Sequence, residues 1–338
     1  MIANMEDDWN KFNEESEPER VKKRNKRILL VAILLFVLAA IALFFTFINR
    51  VPADVSSGIE ESTASVIEAT QQPDEPAEAT EFGEGLTVAF LDVGQGDSIF
   101  LQSPSGKTML VDGGEQSAFD TVSAYLDAHD VIGLDVVVAS HLHSDHIGGL
   151  IQVIDVYPVG AFYYPPFDAE SEVYYDLLDA LSESEAAVYS PLTSANSFID
   201  WDEEVSVRIL SPYEMVYSDF NDTSYILSIT YGETSVLLTG DATELAEKLA
   251  LKALPNEYFR ADVLKVGHHG SNTSTSFAFL DAVDPDVAVI SCGLDNAYGH
   301  PSDKLLLRLQ AYGVQVYRTD LDGTVTLLLD GTNVKVIQ

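Results

Sequence analysis

The chain has 338 residues, room for one large domain or two of average size, and 46% of them are hydrophobic, ample for a core. Its net charge is −36, and residues 51–338 hold ten basic against forty-seven acidic residues. So acidic a domain repels polyanions at long range, which argues against tight non-specific binding of nucleic acid through Lys and Arg. Cys292 is the only cysteine, which excludes an intrachain disulfide, a cysteine-based zinc site and a lipid-bearing cysteine near the amino terminus.

Residues 1–19 are polar and acidic, and a basic run, Arg20 to Arg27, follows. Ile28 to Ile48 is then apolar throughout except for Thr46. That length crosses a hydrocarbon core of about 30 Å. The basic flank predicts an uncleaved single-pass anchor with a cytoplasmic amino terminus and the large domain outside. Residues 49–83, rich in Glu, Thr, Ser, Ala and Pro, read as an acidic, flexible, solvated linker.

The globular domain is expected over residues 84–338. Strands are predicted at Leu86–Val93, Ser98–Gln102 and Thr108–Val111, with turns at Gly94-Gln-Gly-Asp97 and Pro104-Ser-Gly106. Residues 117–129 read as a helix and Val136–Val138 as a buried strand. Strands at 160–164 and 205–210 flank a helix from Glu170 to Leu181, and residues 182–204 show little pattern. Tyr225–Tyr231 and Thr234–Leu238 form a hairpin across Gly232-Glu233, leading into a helix from Thr243 to Ala253. Strand and helix then alternate through Val263–Val266, Ser274–Ala282, Val287–Ser291, Ser302–Tyr312 and Val314–Tyr317. A hairpin, Thr324–Leu329 with Val334–Ile337, closes the chain. Two runs of strands, each followed by helices, fit two sheets packed face to face with helices outside.

Three of the seven histidines lie in Ser140-His-Leu-His-Ser-Asp-His-Ile-Gly-Gly149. On an extended segment His141 and His143 face one point and Asp145 follows them. His146 opens a helix that Gly148-Gly149 ends or loosens. Imidazoles and a carboxylate so close together suit a borderline metal such as zinc. Asp241 ends a buried strand before a helix, as a carboxylate bridging two cations or as a helix cap. Lys265-Val-Gly-His-His-Gly-Ser271 also ends a strand. Neighbouring side chains on a strand diverge, so one of the pair is expected to ligate: His269, with His268 touching a ligand or the substrate. His300 precedes Pro301 at a helix start, where a general acid or a phosphate contact fits, as does a simple loop cap. Asp92 and Asp112 precede glycine turns at strand ends and are candidates for orienting a ligating histidine.

The motif His-Leu-His-Ser-Asp-His resembles the signature of the metallo-β-lactamase superfamily. Phe90-Leu-Asp-Val-Gly-Gln-Gly-Asp-Ser98, Leu110-Val-Asp-Gly-Gly114, Leu238-Thr-Gly-Asp241, Leu264-Lys-Val-Gly-His-His-Gly-Ser271, Tyr298-Gly-His-Pro301, Tyr317-Arg-Thr-Asp320 and Gly323 accompany it in order. The set resembles the metallo-β-lactamase-like domain of the DNA-uptake protein ComEC over about residues 86–330. The resemblance implies an α/β (α+β) fold, the αββα sandwich, here preceded by one transmembrane helix. It implies two divalent metal ions, zinc or manganese, as cofactors. His141, His143 and Asp241 would hold the first, and Asp145, His146, His269 and the shared Asp241 the second. Many superfamily members have another histidine before the bridging aspartate. Here residues 147–267 contain none, and Asn221-Asp-Thr-Ser224 stands in the corresponding place. Water or a weak oxygen ligand would complete the first ion, which makes manganese as fitting as zinc.

The function implied is hydrolysis of a phosphodiester, with DNA as one candidate, by a hydroxide shared between the cations. Asp145, His268 and His300 are the candidate catalytic side chains, His300 protonating the leaving oxygen. The membrane, through residues 28–48, is the other expected partner, and no protein partner is predicted. Two further readings are hydrolysis of a lactone, β-lactam or cell-wall phosphoester, and a tethered binding domain without catalysis. A structural zinc usually has all four positions filled by protein, which disfavours the last.

Overall fold

Along β1, Leu86–Phe90, the side chains of Leu86, Val88 and Phe90 enter one apolar core and Ala89 enters another. A strand apolar on both faces must be covered on both. The pattern recurs in β4, Leu134–Val138, where Val136 and Val138 point one way and Val137 the other. It recurs again in β10, Thr234–Leu238, where Val236 and Leu238 oppose Leu237. The structure, a computed structural model, describes residues 84–194, 197–213, 217 and 219–337. They lie within one of the two units into which the chain divides, Glu75–Gln338.

The first sheet has eight strands, ordered β15-β14-β1-β2-β3-β4-β5-β6. Besides β1 and β4 these are β2 (Ile99–Gln102), β3 (Thr108–Val111), β5 (Val159–Tyr163), β6 (Ala187–Tyr189), β14 (Val325–Leu329) and β15 (Val334–Val336). The second has seven, ordered β13-β12-β11-β10-β9-β8-β7: β7 (Phe198–Ile199), β8 (Val205–Ser211), β9 (Ile226–Tyr231), β10, β11 (Val263–Lys265), β12 (Val287–Ile290) and β13 (Gln315–Arg318). Each sheet is antiparallel in one part and parallel in the other. β3 to β6 are parallel in the first, and β10 to β13 in the second.

One core lies between the sheets. Two more lie under the helices: α1 (Phe119–Ala128), α2 (Ser144–Val156) and α3 (Glu172–Glu183) on the first sheet, and α4 (Glu244–Ala253), α5 (Phe277–Val283) and α6 (Asp303–Tyr312) on the second. A short α7, Thr319–Asp322, follows β13. This is the expected αββα arrangement. The predicted membrane span, 28–48, and the linker, 49–83, lie outside the described residues. Among the described residues no helix is long and apolar enough to cross a membrane.

Three local expectations are corrected. α2 does not loosen at Gly148-Gly149 but runs through both for another two turns. A Cβ on Gly149 would collide with the carbonyl oxygen of Gly113, and one on Gly148 with the backbone nitrogen of Gln116. The pair lets the helix lie against the loop after β3. Residues 182–204 contain the two short edge strands β6 and β7. The side chains of β6 are all exposed, so no alternation marks it. α5 starts at Phe277 rather than Ser274, because the buried carboxylate of Glu247 accepts the backbone N–H groups of Thr275 and Ser276.

The packing at Gly149 sets a sign. Alanine is the better helix former by about 1 kcal/mol, yet Gly149→Ala should destabilise the protein by roughly 1–3 kcal/mol through overpacking. Urea unfolding measures it, and a variant as stable as the parent would refute the close-approach explanation.

Candidate metal centre

Parallel strands end at a common edge, and the motif residues sit at those ends. Asp112 follows β3, and His141 and His143 follow β4. Asp241 follows β10, and His268 and His269 follow β11. His143 also occupies the N-cap of α2 but makes no capping hydrogen bond. Helices α3 to α6 are capped by Ser171, Thr243, Ser276 and Ser302. At α2 the capping position is given to a histidine, and Asp145, in the first turn, lies where a helix favours negative charge.

Asp241 is the meeting point. Its Oδ1 lies 3.4 Å from Nε2 of His146 and 3.4 Å from Nε2 of His269. Its Oδ2 lies 4.0 Å from Nε2 of His141 and 3.8 Å from Nε2 of His268. Asp145 Oδ2 is 3.3 Å from His269 Nε2. His143 joins through Nδ1, 3.0 Å from His141 Nε2. One oxygen of the carboxylate therefore faces each half of the cluster. The helix cap that Asp241 could have been is Thr243, whose hydroxyl accepts from Leu245 N–H.

The ligating atoms are presented by what holds the other side of each ring. Asp112 is buried, and its Oδ2 accepts from His146 Nδ1 at 2.8 Å and from the Ser140 hydroxyl at 2.7 Å, while Oδ1 accepts from Ser140 N–H at 2.7 Å. His269 Nδ1 donates to the Ser291 carbonyl at 3.0 Å. Both rings thus direct Nε2 inward, the arrangement that fixes tautomer and orientation in metal sites. Asp112 holds the ring of His146, a candidate ligand. Asp92 does not: it is exposed and accepts from Gly94 N–H at 3.3 Å, closing its own turn.

Two groups behind the site were not singled out in the sequence. Asp97 and Lys265 are buried and form an ion pair, Nζ to Oδ2, at 2.7 Å. Asp97 Oδ1 also lies 3.4 Å from His269 Nδ1. Asp97, Asp112 and His146 come close enough to suggest a further cation position, but the Lys265 ammonium already faces Asp97. The signal was legible: a lysine inside Val263-Leu-Lys-Val266 is a charge on a core strand, and such a charge needs a partner.

The donor set fits divalent cations. One ligand atom each from Asp145, His146, Asp241 and His269 all lie within 4.8 Å of one another. His146 Nε2, His269 Nε2 and Asp241 Oδ1 are buried without a hydrogen-bond partner, a costly state that a bound ion would relieve. The electrostatics agree. Burial alone would push His146 and His269 down, but the charge of Asp241 foremost, with Asp112 and Asp145 at the first and Asp145 and Asp97 at the second, holds both well above the usual imidazole value. Burial resists ionisation of Asp241, yet the charges of His269 and His146 hold it well below the usual carboxylate range. His141 is pushed well down by burial and by His146, which leaves it neutral as a ligand must be.

A cleft of about 300 Å³ opens onto the cluster. His143, Asp145, Asp241, His268, His269 and His300 line it, with Gln95, Ser144, Asn221 and Tyr298. None of these is Lys or Arg. His300 packs edge-on against His268, ring centres 5.6 Å apart, and stacks on the exposed Tyr298 at 5.8 Å. Burial, with the neighbouring His268 and His269, lowers its pKa.

The sequence profile described as the metallo-beta-lactamase superfamily matches residues 91–294. ComE operon protein 3 of Bacillus subtilis is 31% identical over 255 residues, 70% of this chain and 32% of that protein. Competence protein ComA of Neisseria gonorrhoeae is 36% identical over 250 residues, 73% of this chain and 33% of that protein. Recombination protein 2 of Haemophilus influenzae is 32% identical over 241 residues, 70% and 28% respectively. The chain spans about a third of the length of these relatives.

Two outcomes follow from the site. Lys265→Met leaves Asp97 buried without its cation and should cost roughly 3–5 kcal/mol, read from urea unfolding; no loss would show the pair to be unimportant. A cation must displace the protons held on His146 and His269, so apparent zinc or manganese affinity should tighten from pH 6 to pH 8. Competition against a chelating dye measures this, and affinity independent of pH would contradict it.

Proposed function

The chain belongs to the metallo-β-lactamase superfamily, and on that premise we propose that it is a membrane-anchored, metal-dependent phosphodiesterase. The observation that carries the reading is the carboxylate of Asp241, one oxygen toward His146 and His269 and the other toward His141 and His268. A binding domain has no use for His269 Nε2 and Asp241 Oδ1, buried beside an open cleft with no hydrogen-bond partner among the described residues. Two divalent ions there, zinc or manganese, would supply an activated water and offset charge on the phosphoryl oxygens.

The protein's own groups do the rest. Asp112 and the Ser291 carbonyl hold the rings of His146 and His269 in place. Asp145 adds a carboxylate at the mouth side of the cluster, partly exposed to the cleft. His300, kept neutral, can contact an ester oxygen by hydrogen bond, and as a general acid would have to take up a proton from solvent first. With no Lys or Arg among the described residues that line the cleft, neutralising the substrate's charge would fall to the metal sites. The names of the relatives, a competence protein and a recombination protein, favour DNA as the phosphodiester. Residues 28–48 would anchor the chain, with the catalytic domain outside the cell.

The full chain, purified in detergent, stripped of metal and reloaded with zinc or manganese, should hydrolyse bis(p-nitrophenyl) phosphate. Asp145→Ala with His146→Ala should lose more than the roughly 10–100-fold typical of removing an outer partner of a ligand. Single- and double-stranded DNA tested alongside decide whether it is a nuclease. No turnover with two ions bound would sink the phosphodiesterase reading.

A further inference from the structure

Adjacent side chains on an extended strand point to opposite faces, so His268 and His269 cannot both reach one site by continuing β11. The chain leaves the strand instead. His268 has φ 50° and His269 φ 51°, two successive residues in the left-handed region that side chains with a Cβ rarely adopt. The turn is held by His268 N–H donating to the Gly240 carbonyl at 3.1 Å and by Ser271 N–H donating to the His268 carbonyl at 2.8 Å. Gly240 immediately precedes Asp241, so the bond ties the two strand ends together. As a result both rings face Asp241, but different oxygens of it: His268 Nε2 is 3.8 Å from Oδ2 and His269 Nε2 is 3.4 Å from Oδ1. The ring centres stand 6.2 Å apart at 72°.

Oδ2 is the oxygen that also faces His141 Nε2, at 4.0 Å, with His143 Nδ1 a further 3.0 Å from that nitrogen. Atoms bound to one ion at about 2.0–2.2 Å lie roughly 3–4 Å from each other. We propose that His268 is a protein ligand of the first cation, beside His141, His143 and Asp241, and that the two adjacent histidines serve different ions. His268 thereby supplies the imidazole that residues 147–267 lack. The first position then has three nitrogens and one oxygen from protein, a set that suits zinc better than manganese. The rival for the place is Asn221, whose buried Oδ1 has no hydrogen-bond partner and which lines the same cleft. The assignment rests on the metallohydrolase reading and specifies its ligands.

The test counts ions rather than turnover. The full chain in detergent, stripped and titrated with zinc or cobalt, should hold two ions. His268→Ala should hold one tightly and bind the other at least tenfold more weakly, and Asn221→Ala should keep both. Two ions of parental affinity in His268→Ala, with the cobalt spectrum unchanged, would overturn the assignment while leaving the metal site standing. Loss of an ion in Asn221→Ala but not in His268→Ala would overturn it in favour of Asn221. A parent that takes up no ion would overturn both this and the proposed function. Should His268→Ala misfold, the cobalt-loaded parent decides by proton NMR: five paramagnetically shifted imidazole rings support the assignment and four refute it.

Discussion

Buried negative charge is the constraint on which this structure depends. Asp97, Asp112 and Asp241 are buried at the edge of an apolar sandwich, and Asp145 stands beside them. A carboxylate taken from water into such a place persists only where positive charge or several donors meet it. Asp112 has Ser140 and His146, and Asp97 has Lys265. Around the Asp241 carboxylate the described residues supply imidazoles, which burial alone would keep neutral; its backbone N–H donates to the Ser224 hydroxyl, which leaves the carboxylate itself unaided. The cluster is short of positive charge by design of its donors. Protons on His146 and His269 fill the deficit when nothing else does, and divalent ions fill it better because each satisfies several orphaned atoms at once.

The fold solves the problem of bringing these groups together with parallel strands. A parallel strand returns its carboxyl end to the same edge each time. β3 and β4 in one sheet and β10 and β11 in the other therefore deliver four loops to a single place. The apolar core between the sheets holds those ends in register, and the alternation of Val136 and Val138 or Val236 and Leu238 fixes which face looks inward. Local economies give way near the site. α2 forgoes a side-chain cap at His143, and two histidines are held in left-handed backbone. Such costs persist only where the surroundings overdetermine them.

What was legible in the sequence divides along the same line. Strands apolar on both faces, such as Val136–Val138 and Val287–Ile290, announce themselves by unbroken apolar runs, and the hairpin at Gly232-Glu233 by its turn. The motif histidines and Asp241 are brought together as their positions at strand ends suggested. Edge strand β6 is exposed at every residue and β7 is only two residues long, so neither offers an alternation to read. Gly148-Gly149 reads as a helix breaker unless the loop it packs against is known, because the reason for it lies thirty-six residues before Gly149, at Gly113. The direction of His268 hangs on two φ angles that strand alternation misjudges. The pairing of Asp97 with Lys265 joins residues far apart in sequence, although each alone was a buried charge in need of a partner.

The charge of the whole domain bears on what can reach the cleft. With ten basic and forty-seven acidic residues in 51–338, the long-range field opposes any polyanion, and among the described residues no Lys or Arg lines the cleft to reverse it locally. On the proposed phosphodiesterase reading, attraction for the substrate would act within a few ångströms of the metal positions, where low dielectric strengthens it and salt screens it little. Such a site would gain little from a long strand's extra phosphates, which meet a predominantly acidic domain. Recognition confined to one scissile linkage is the arrangement these charges allow.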